Sequence, residues 1–204
     1  ELVQNYIIEN NLNDKIILIR NEKNMKQSYS RYIAYDYCDD DEVICFLDGD
    51  DWLFNNDVLT KINEEYQNDI KLTYGSYYKF ENNELKKYVE SKRYSDSTIK
   101  LETYRQMKGW IGIPLRTGYA YLYKSMPESY LKDENGNWMS SCTDVAEFLW
   151  AIEQSEGKFK DVKYPTYVYN IDASKRFKNS MYNLSKDQLN YRIKTSDKIF
   201  NYFQ

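Results

Sequence analysis

The sequence predicts an α/β fold with a mostly parallel sheet flanked by helices, and three features point that way. Helical and strand patterns alternate through the first half of the chain, which favours parallel strands joined by right-handed crossovers. The run Val43-Ile44-Cys45-Phe46-Leu47 is apolar, rich in β-branched and aromatic residues, and too short for a helix, so it reads as a buried strand. Asp48, Asp50 and Asp51 follow it directly, around Gly49. Acids clustered at a strand end lie at the carboxyl edge of a sheet, where open α/β folds bind their ligands.

The elements follow in order. Leu2, Val3, Tyr6 and Ile7 share one helical face of a segment over Glu1–Asn10, which Asn11–Asp14 breaks. Lys15–Arg20 reads as a strand. Asn24 is placed to cap a helix over Met25–Tyr37, whose Tyr29, Tyr32, Ile33 and Tyr37 recur at helical spacing. The acidic link Asp39–Glu42 leads into the Val43 strand. Asn55-Asn56-Asp57 is a cap signal for a helix over Val58–Gln67. Leu72–Phe80 reads as a strand with Gly75 as a bulge or weak point. Glu81–Lys108 carries no clear period, although part of it around Thr98–Met107 has helical character. Trp110–Pro114 reads as a loop, Gly118–Tyr123 as a strand, and Asn135-Gly136 as a tight reversal within Asp133–Asn137. Val145, Phe148, Leu149 and Ile152 mark a helix over Thr143–Gln154, with Thr143 or Ser141 as its cap. Lys163–Asn170 is a strand. Ser185 caps a final amphipathic helix, residues 185–204, whose stripe is Leu189, Ile193 and Phe200.

Composition bounds the chemistry. A length of 204 residues predicts one domain over 1–204, or one with a small appendage, long enough for a real core. A net charge of −4 offers no basic field for nucleic acid. The mean hydropathy is −0.82 and no apolar run reaches the length of a membrane span. Cys38, Cys45 and Cys142 are odd in number and lack metal-type spacing, which fits free thiols in a reducing, cytoplasmic setting. The chain has no histidine, which removes imidazole bases, His-ligated zinc and Ser-His-Asp catalysis. Acid–base work then falls to carboxylates, Lys, Tyr or Cys.

Three acids in so short a turn repel one another unless a cation or solvent neutralises them, so the turn suggests a divalent metal held by hard oxygens. A plain polar turn after a core strand is the other reading. Three stretches then carry a family resemblance. Ser30-Arg31-Tyr32-Ile33-Ala34 precedes Phe46-Leu47-Asp48-Gly49-Asp50-Asp51. Pro114-Leu115-Arg116-Thr117-Gly118-Tyr119-Ala120 comes next, and Thr143-Asp144-Val145-Ala146-Glu147-Phe148 last. Together they resemble a GT-A fold glycosyltransferase of the family 2 type, the inverting enzymes that use nucleotide-sugars. The first pair is similar to that family's Arg-Asn-x-Gly helix and Leu-Asp-x-Asp-Asp strand end. Tyr32 and Ala34 stand where the family has Asn and Gly. The family's opening strands, with a Pro-x-Tyr-Asn turn and an Asp-Asp-Gly-Ser end, do not precede Glu1. Either the chain is a fragment lacking its N-terminal nucleotide-binding strands or its sheet is rebuilt; the first is expected, because loss of a central strand would leave backbone groups unpaired on both neighbours.

The resemblance implies roles. Asp50 is the direct ligand of Mn2+ or Mg2+, and Asp48 serves the metal or the ribose. Asp51 makes a supporting or sugar contact, and Arg31 lies on the nucleotide side. Asp144 is the candidate base, against the reading that its charge complements a helix N-terminus; Glu147, one turn on, is the fallback. Arg116, Trp110 and Trp138 fall on the acceptor side, the two indoles as stacking faces, while Trp52 reads as core. The implied donor is a nucleoside diphosphate sugar, UDP first, and the acceptor a glycan, lipid or protein hydroxyl. Two alternatives stand: a degenerate domain of this fold that binds sugar or a partner without turnover, and a phosphatase-type Asp-x-Asp phosphohydrolase. The latter is opposed by Trp52 at the position where that class needs Thr or Val.

Overall fold

A computed structural model describes residues 1–107, 111–176 and 183–202. Helix α1 (Leu2–Glu9) lies on the surface and buries only Ile7. Helix α2 (Lys26–Ala34) runs into a 3-10 turn at Tyr35–Tyr37 and delivers Tyr35 to the core. Strand β1 (Val43–Cys45), the acidic turn and strand β2 (Trp52–Leu53) follow, then α3 (Val58–Tyr66), β3 (Leu72–Glu81) and β4 (Glu84–Val89). Next come α4 (Asp96–Lys100), β5 (Arg116–Tyr119), α5 (Ala120–Lys124), α6 (Thr143–Gln154), β6 (Phe159–Asn170), α7 (Ile171–Arg176) and α8 (Lys186–Phe200). No helix among the described residues is long and apolar enough to cross a membrane.

The sheet order is β1-β5-β3-β6-β2, with β4 paired to the far half of β3. Its longest pairing, β3 with β6, is parallel from Leu72↔Phe159 to Phe80↔Asn170. The remaining pairs, β1–β5, β5–β3, β3–β4 and β2–β6, run antiparallel. The α/β class and the helix-flanked sheet are as expected, with parallel pairing concentrated at the centre. Strand alternation sends Leu72 and Tyr74 to one face, where α6 packs Phe148 edge-on against Tyr74 at 5.3 Å. Thr73 faces the other way, towards α3. There the Tyr66 hydroxyl and Thr73 Oγ1 each lie 2.7 Å from Thr117 Oγ1, so three buried hydroxyls satisfy one another.

Several local expectations hold. Gly75 falls at register shifts in the β3–β6 pairing, and a Cβ there would come within 2.3 Å of Thr166 Oγ1. Gly136 adopts φ +76 in the reversal after Asp133. Ser185 and Gln188 cap α8 reciprocally, each side chain accepting from the other's backbone N–H.

Others are corrected. Lys15–Arg20 forms no strand: Ile16, Ile17 and Leu18 are 38%, 65% and 42% exposed and pair with nothing in the sheet. An apolar run becomes a strand only where an open edge meets it. The expected strand over Gly118–Tyr123 starts earlier and turns into α5, because the Ala120 and Tyr121 N–H groups donate to Glu42 O and Asp40 O instead of to a ladder. The stretch after Glu81 holds a hairpin, its turn residues Asn82 and Asn83 both at positive φ, as a type I′ turn requires. Around Thr98–Met107 the helix α4 starts earlier than expected, capped by Ser95, and a separate 3-10 turn follows at Tyr104–Gln106. Trp52 is not core; it is 39% exposed and packs edge-on to Phe80 at 5.0 Å. Neither Thr143 nor Ser141 caps α6, whose N-cap is Cys142 at φ +60 with no side-chain bond to the helix.

Candidate active site

The acidic turn is set by the strands on either side of it. The Phe46 N–H donates to Arg116 O at 3.1 Å, which extends the β1–β5 pairing up to the turn. The Asp51 N–H closes the turn on Asp48 O at 3.1 Å, and β2 then carries the chain to β6. The three carboxylates meet different surroundings. Asp51 is committed to the fold: its Oδ2 accepts from the Tyr167 hydroxyl at 2.6 Å and its Oδ1 from the Asn170 N–H at 2.7 Å. Burial pushes the Asp51 carboxyl up, against the pull of those two donors. The Tyr167 hydroxyl also accepts from the Asp48 N–H at 3.3 Å, so one phenol braces both ends of the turn. Among the described residues, Asp50 has no hydrogen-bond or ion-pair partner, and neither has Oδ2 of Asp48.

Oδ1 of Asp48 takes an ion pair with Arg31 Nη2 at 2.9 Å. The other arm of that guanidinium, Nη1, pairs with Glu147 Oε2 at 2.6 Å, and the Tyr35 hydroxyl donates to Glu147 Oε1. Arg31 also stacks over the Phe46 ring at 5.2 Å. Burial works to lower the Arg31 pKa, but the charges of Glu147 and Asp48 outweigh it and the guanidinium stays charged. Burial pushes the Glu147 carboxyl up while Arg31 and Tyr35 pull it back. The sequence offers Arg31 and Glu147 as separate candidates, and the structure joins them. Tyr35 follows Arg31 by four residues, the helical spacing of a shared face, and was the available signal.

A cavity of about 990 Å3 opens beside the turn, and Asp48, Arg116 and Asp144 all line it. Arg116 is 8% exposed, its Nη1 donating to Gly112 O at 3.0 Å and standing 3.7 Å from Asp144 Oδ2. Asp144 occupies the first turn of α6 and is partly exposed to the cavity. Lys79 and Arg192 add positive charge to the lining, and Tyr77 and Tyr169 add rings from the sheet. One wall comes from α8, through Leu189, Arg192, Ile193 and Phe200. Arg192 ties that helix to the start of α6 by donating to Ser141 Oγ at 3.0 Å. The sequence marked α8 as amphipathic without assigning it a place here. The structure thus brings Asp48, Arg116 and Asp144 to one cavity; Asp50 and Asp51 share the turn with Asp48 and Arg31 pairs with Asp48, but none of these three lines the cavity. Trp138 stands elsewhere: it packs on Tyr29 at 5.1 Å and Tyr32 at 5.4 Å, with Lys132 over its ring, and is not in the cavity lining. Trp110 lies outside the described residues.

No curated protein matches the chain. The family model of glycosyl transferase family 2 matches residues 1–129. That stretch takes in Arg31, the acidic turn and Arg116, while α6 and α8 lie beyond it. The match covers more than half of the sequence, and the helix-flanked α/β sheet with acids at a strand end is the architecture such a match calls for. The chain belongs to glycosyl transferase family 2.

Proposed function

We propose that the chain moves a sugar from a nucleoside diphosphate donor, UDP-sugar first, to a hydroxyl acceptor with inversion and with the help of Mn2+ or Mg2+. The observation that carries this reading is the single cavity shared by Asp48, Arg116 and Asp144, which come from three different elements. Inversion needs a base on the face of the sugar away from the leaving group, within hydrogen-bond reach of the acceptor. Asp144 fills that role by accepting the hydroxyl proton as the new C–O bond forms. Arg116, 3.7 Å away, holds the Asp144 carboxylate in place. Lys79 and Arg192 favour an anionic donor in the cavity.

The donor atoms suit a hard divalent cation. Asp50 and Oδ2 of Asp48 are open oxygens in the turn, and Mg2+ or Mn2+ sites commonly use one or two carboxylates plus substrate phosphates. Among the described residues, no group of three acidic, Cys or His side chains converges to hold a cation without help. Asp50 and Asp48 would hold it, with the donor's phosphates completing the shell. Once bound, the cation offsets the charge that develops on the departing diphosphate.

The test is a thermal-shift screen of UDP-, GDP- and dTDP-sugars with and without Mn2+, since a bound ligand raises apparent stability. A Mn2+-dependent shift is expected, lost in Asp50→Ala. Asp144→Asn is expected to keep the shift and lose transfer by about 10^2 to 10^4-fold. Full transfer by Asp144→Asn overturns the assignment of the base. A wild-type chain that binds donor but neither hydrolyses nor transfers it is a sugar-binding domain instead.

A further inference from the structure

Glu147 sits one helical turn beyond Asp144 on α6, yet it does not line the cavity. Its side chain is 3% exposed, and its partners are Arg31 and Tyr35. The guanidinium of Arg31 is held on three sides, by Glu147 at 2.6 Å, by the Phe46 ring at 5.2 Å and by Asp48 at 2.9 Å. A guanidinium beside a lone carboxylate tends to close on it with both arms, because two parallel N–H···O bonds match the fork. Here one arm is already taken. Arg31 therefore gives Asp48 a single bond, on Oδ1, and Oδ2 stays open.

We propose that Glu147 is a positioning residue for the acidic turn. Acting through Arg31, it sets the orientation of Asp48 and keeps Arg31 from capping both of its oxygens. Donor and cation affinity then depend on a carboxylate that touches neither. The Tyr35 hydroxyl completes the device by holding the second oxygen of Glu147, so the carboxylate cannot rotate away from Arg31. The affinity part of this inference rests on the proposed function; the positioning of the turn does not.

Two measurements separate these parts. The first is calorimetry of UDP with Mn2+ on Glu147→Gln, Asp48→Asn and the double variant. Glu147→Gln is expected to raise Kd by about fivefold or more in the wild-type background, and to change it by no more than about twofold once Asp48 is Asn. Equal factors in both backgrounds, or no change in either, overturn the proposal. The second is amide hydrogen exchange. Glu147→Gln is expected to speed exchange of the Asp51 N–H, which closes the turn on Asp48 O, and to leave the β3–β6 amides as in the wild type. Exchange that rises equally across the sheet marks Glu147 as merely structural and overturns the proposal, as does an unchanged turn. If Glu147→Gln does not fold, Tyr35→Phe removes only the hydroxyl bond to Glu147 and is expected to show the same pattern at smaller amplitude. A wild-type chain that binds no nucleotide defeats the proposed function, while the exchange comparison still decides whether Glu147 sets the turn.

Discussion

Asp48, Asp50 and Asp51 look alike in the sequence and have different jobs in the fold. Asp51 spends both oxygens on Tyr167 and Asn170, so it joins the turn to β6. Asp51→Asn keeps the shape and an oxygen for the Asn170 N–H but leaves the Tyr167 hydroxyl proton without its acceptor, and is expected to cost about 1–3 kcal/mol in urea unfolding. Donor affinity should fall less than in Asp50→Ala. A variant with wild-type stability and no donor binding would instead make Asp51 a ligand contact. The identity and order of the acids were legible because they sit in one short stretch. The partners of Asp51 were not, since Tyr167 and Asn170 reach it only through the β2–β6 register of Trp52 opposite Val168. Arg31 and Glu147 were each readable as candidates, but their bond joins two helices far apart in the chain.

Among the elements, the strands with the longest run and a distinctive glycine were the most readable. Gly75 was identifiable as a weak point in β3, and its reason is a close approach to β6. Gly75→Ala would set a methyl 2.3 Å from Thr166 Oγ1 and 3.2 Å from the Leu115 amide, in the centre of the sheet. Such overpacking is expected to cost about 1–3 kcal/mol in denaturant unfolding. Because Leu115 precedes Arg116, the same variant should weaken transfer more than a surface change of equal cost; unchanged stability would show that the sheet can open there. Helix α8 was readable from its cap and stripe, and its Ser185–Gln188 box is present. Its function as a cavity wall was not, because an amphipathic face says that something apolar lies opposite without saying what. Lys15–Arg20 failed for the converse reason. Its composition suits a strand, but pairing needs a neighbour that a local pattern does not supply.

At the scale of the molecule, the core is rich in tyrosine beside its aliphatic residues. Tyr35, Tyr66, Tyr74, Tyr94, Tyr123, Tyr130 and Tyr167 are buried, and burial raises the pKa of each; Tyr164 is likewise pushed up, to about 12. Unfolded tyrosines ionise near pH 10, so above about pH 10 the folded state holds more protons than the unfolded one. The stability from these rings is complete below about pH 10 and falls as pH rises through the folded values. Alkaline titration followed by tyrosinate absorbance and circular dichroism should show exposed rings ionising first. The buried rings should ionise together with loss of secondary structure. Ionisation of all rings near pH 10 with the helices intact would contradict this. Without histidine, no imidazole step is expected between pH 6 and 8.

Short-range pattern was enough to establish an α/β chain, the strand that ends in acids, the α6 helix that carries Asp144, the capped final helix and the family resemblance. Periodicity and motif order are properties of neighbouring residues, and they survive without knowledge of the fold. The antiparallel flanks of the sheet, the bond between Arg31 and Glu147, the commitment of Asp51 to β6 and the meeting of Asp48, Arg116 and Asp144 around one cavity came from long-range packing. Those depend on which strand edges and helix faces satisfy each other's hydrogen bonds and apolar surface. No stretch of sequence carries that information alone.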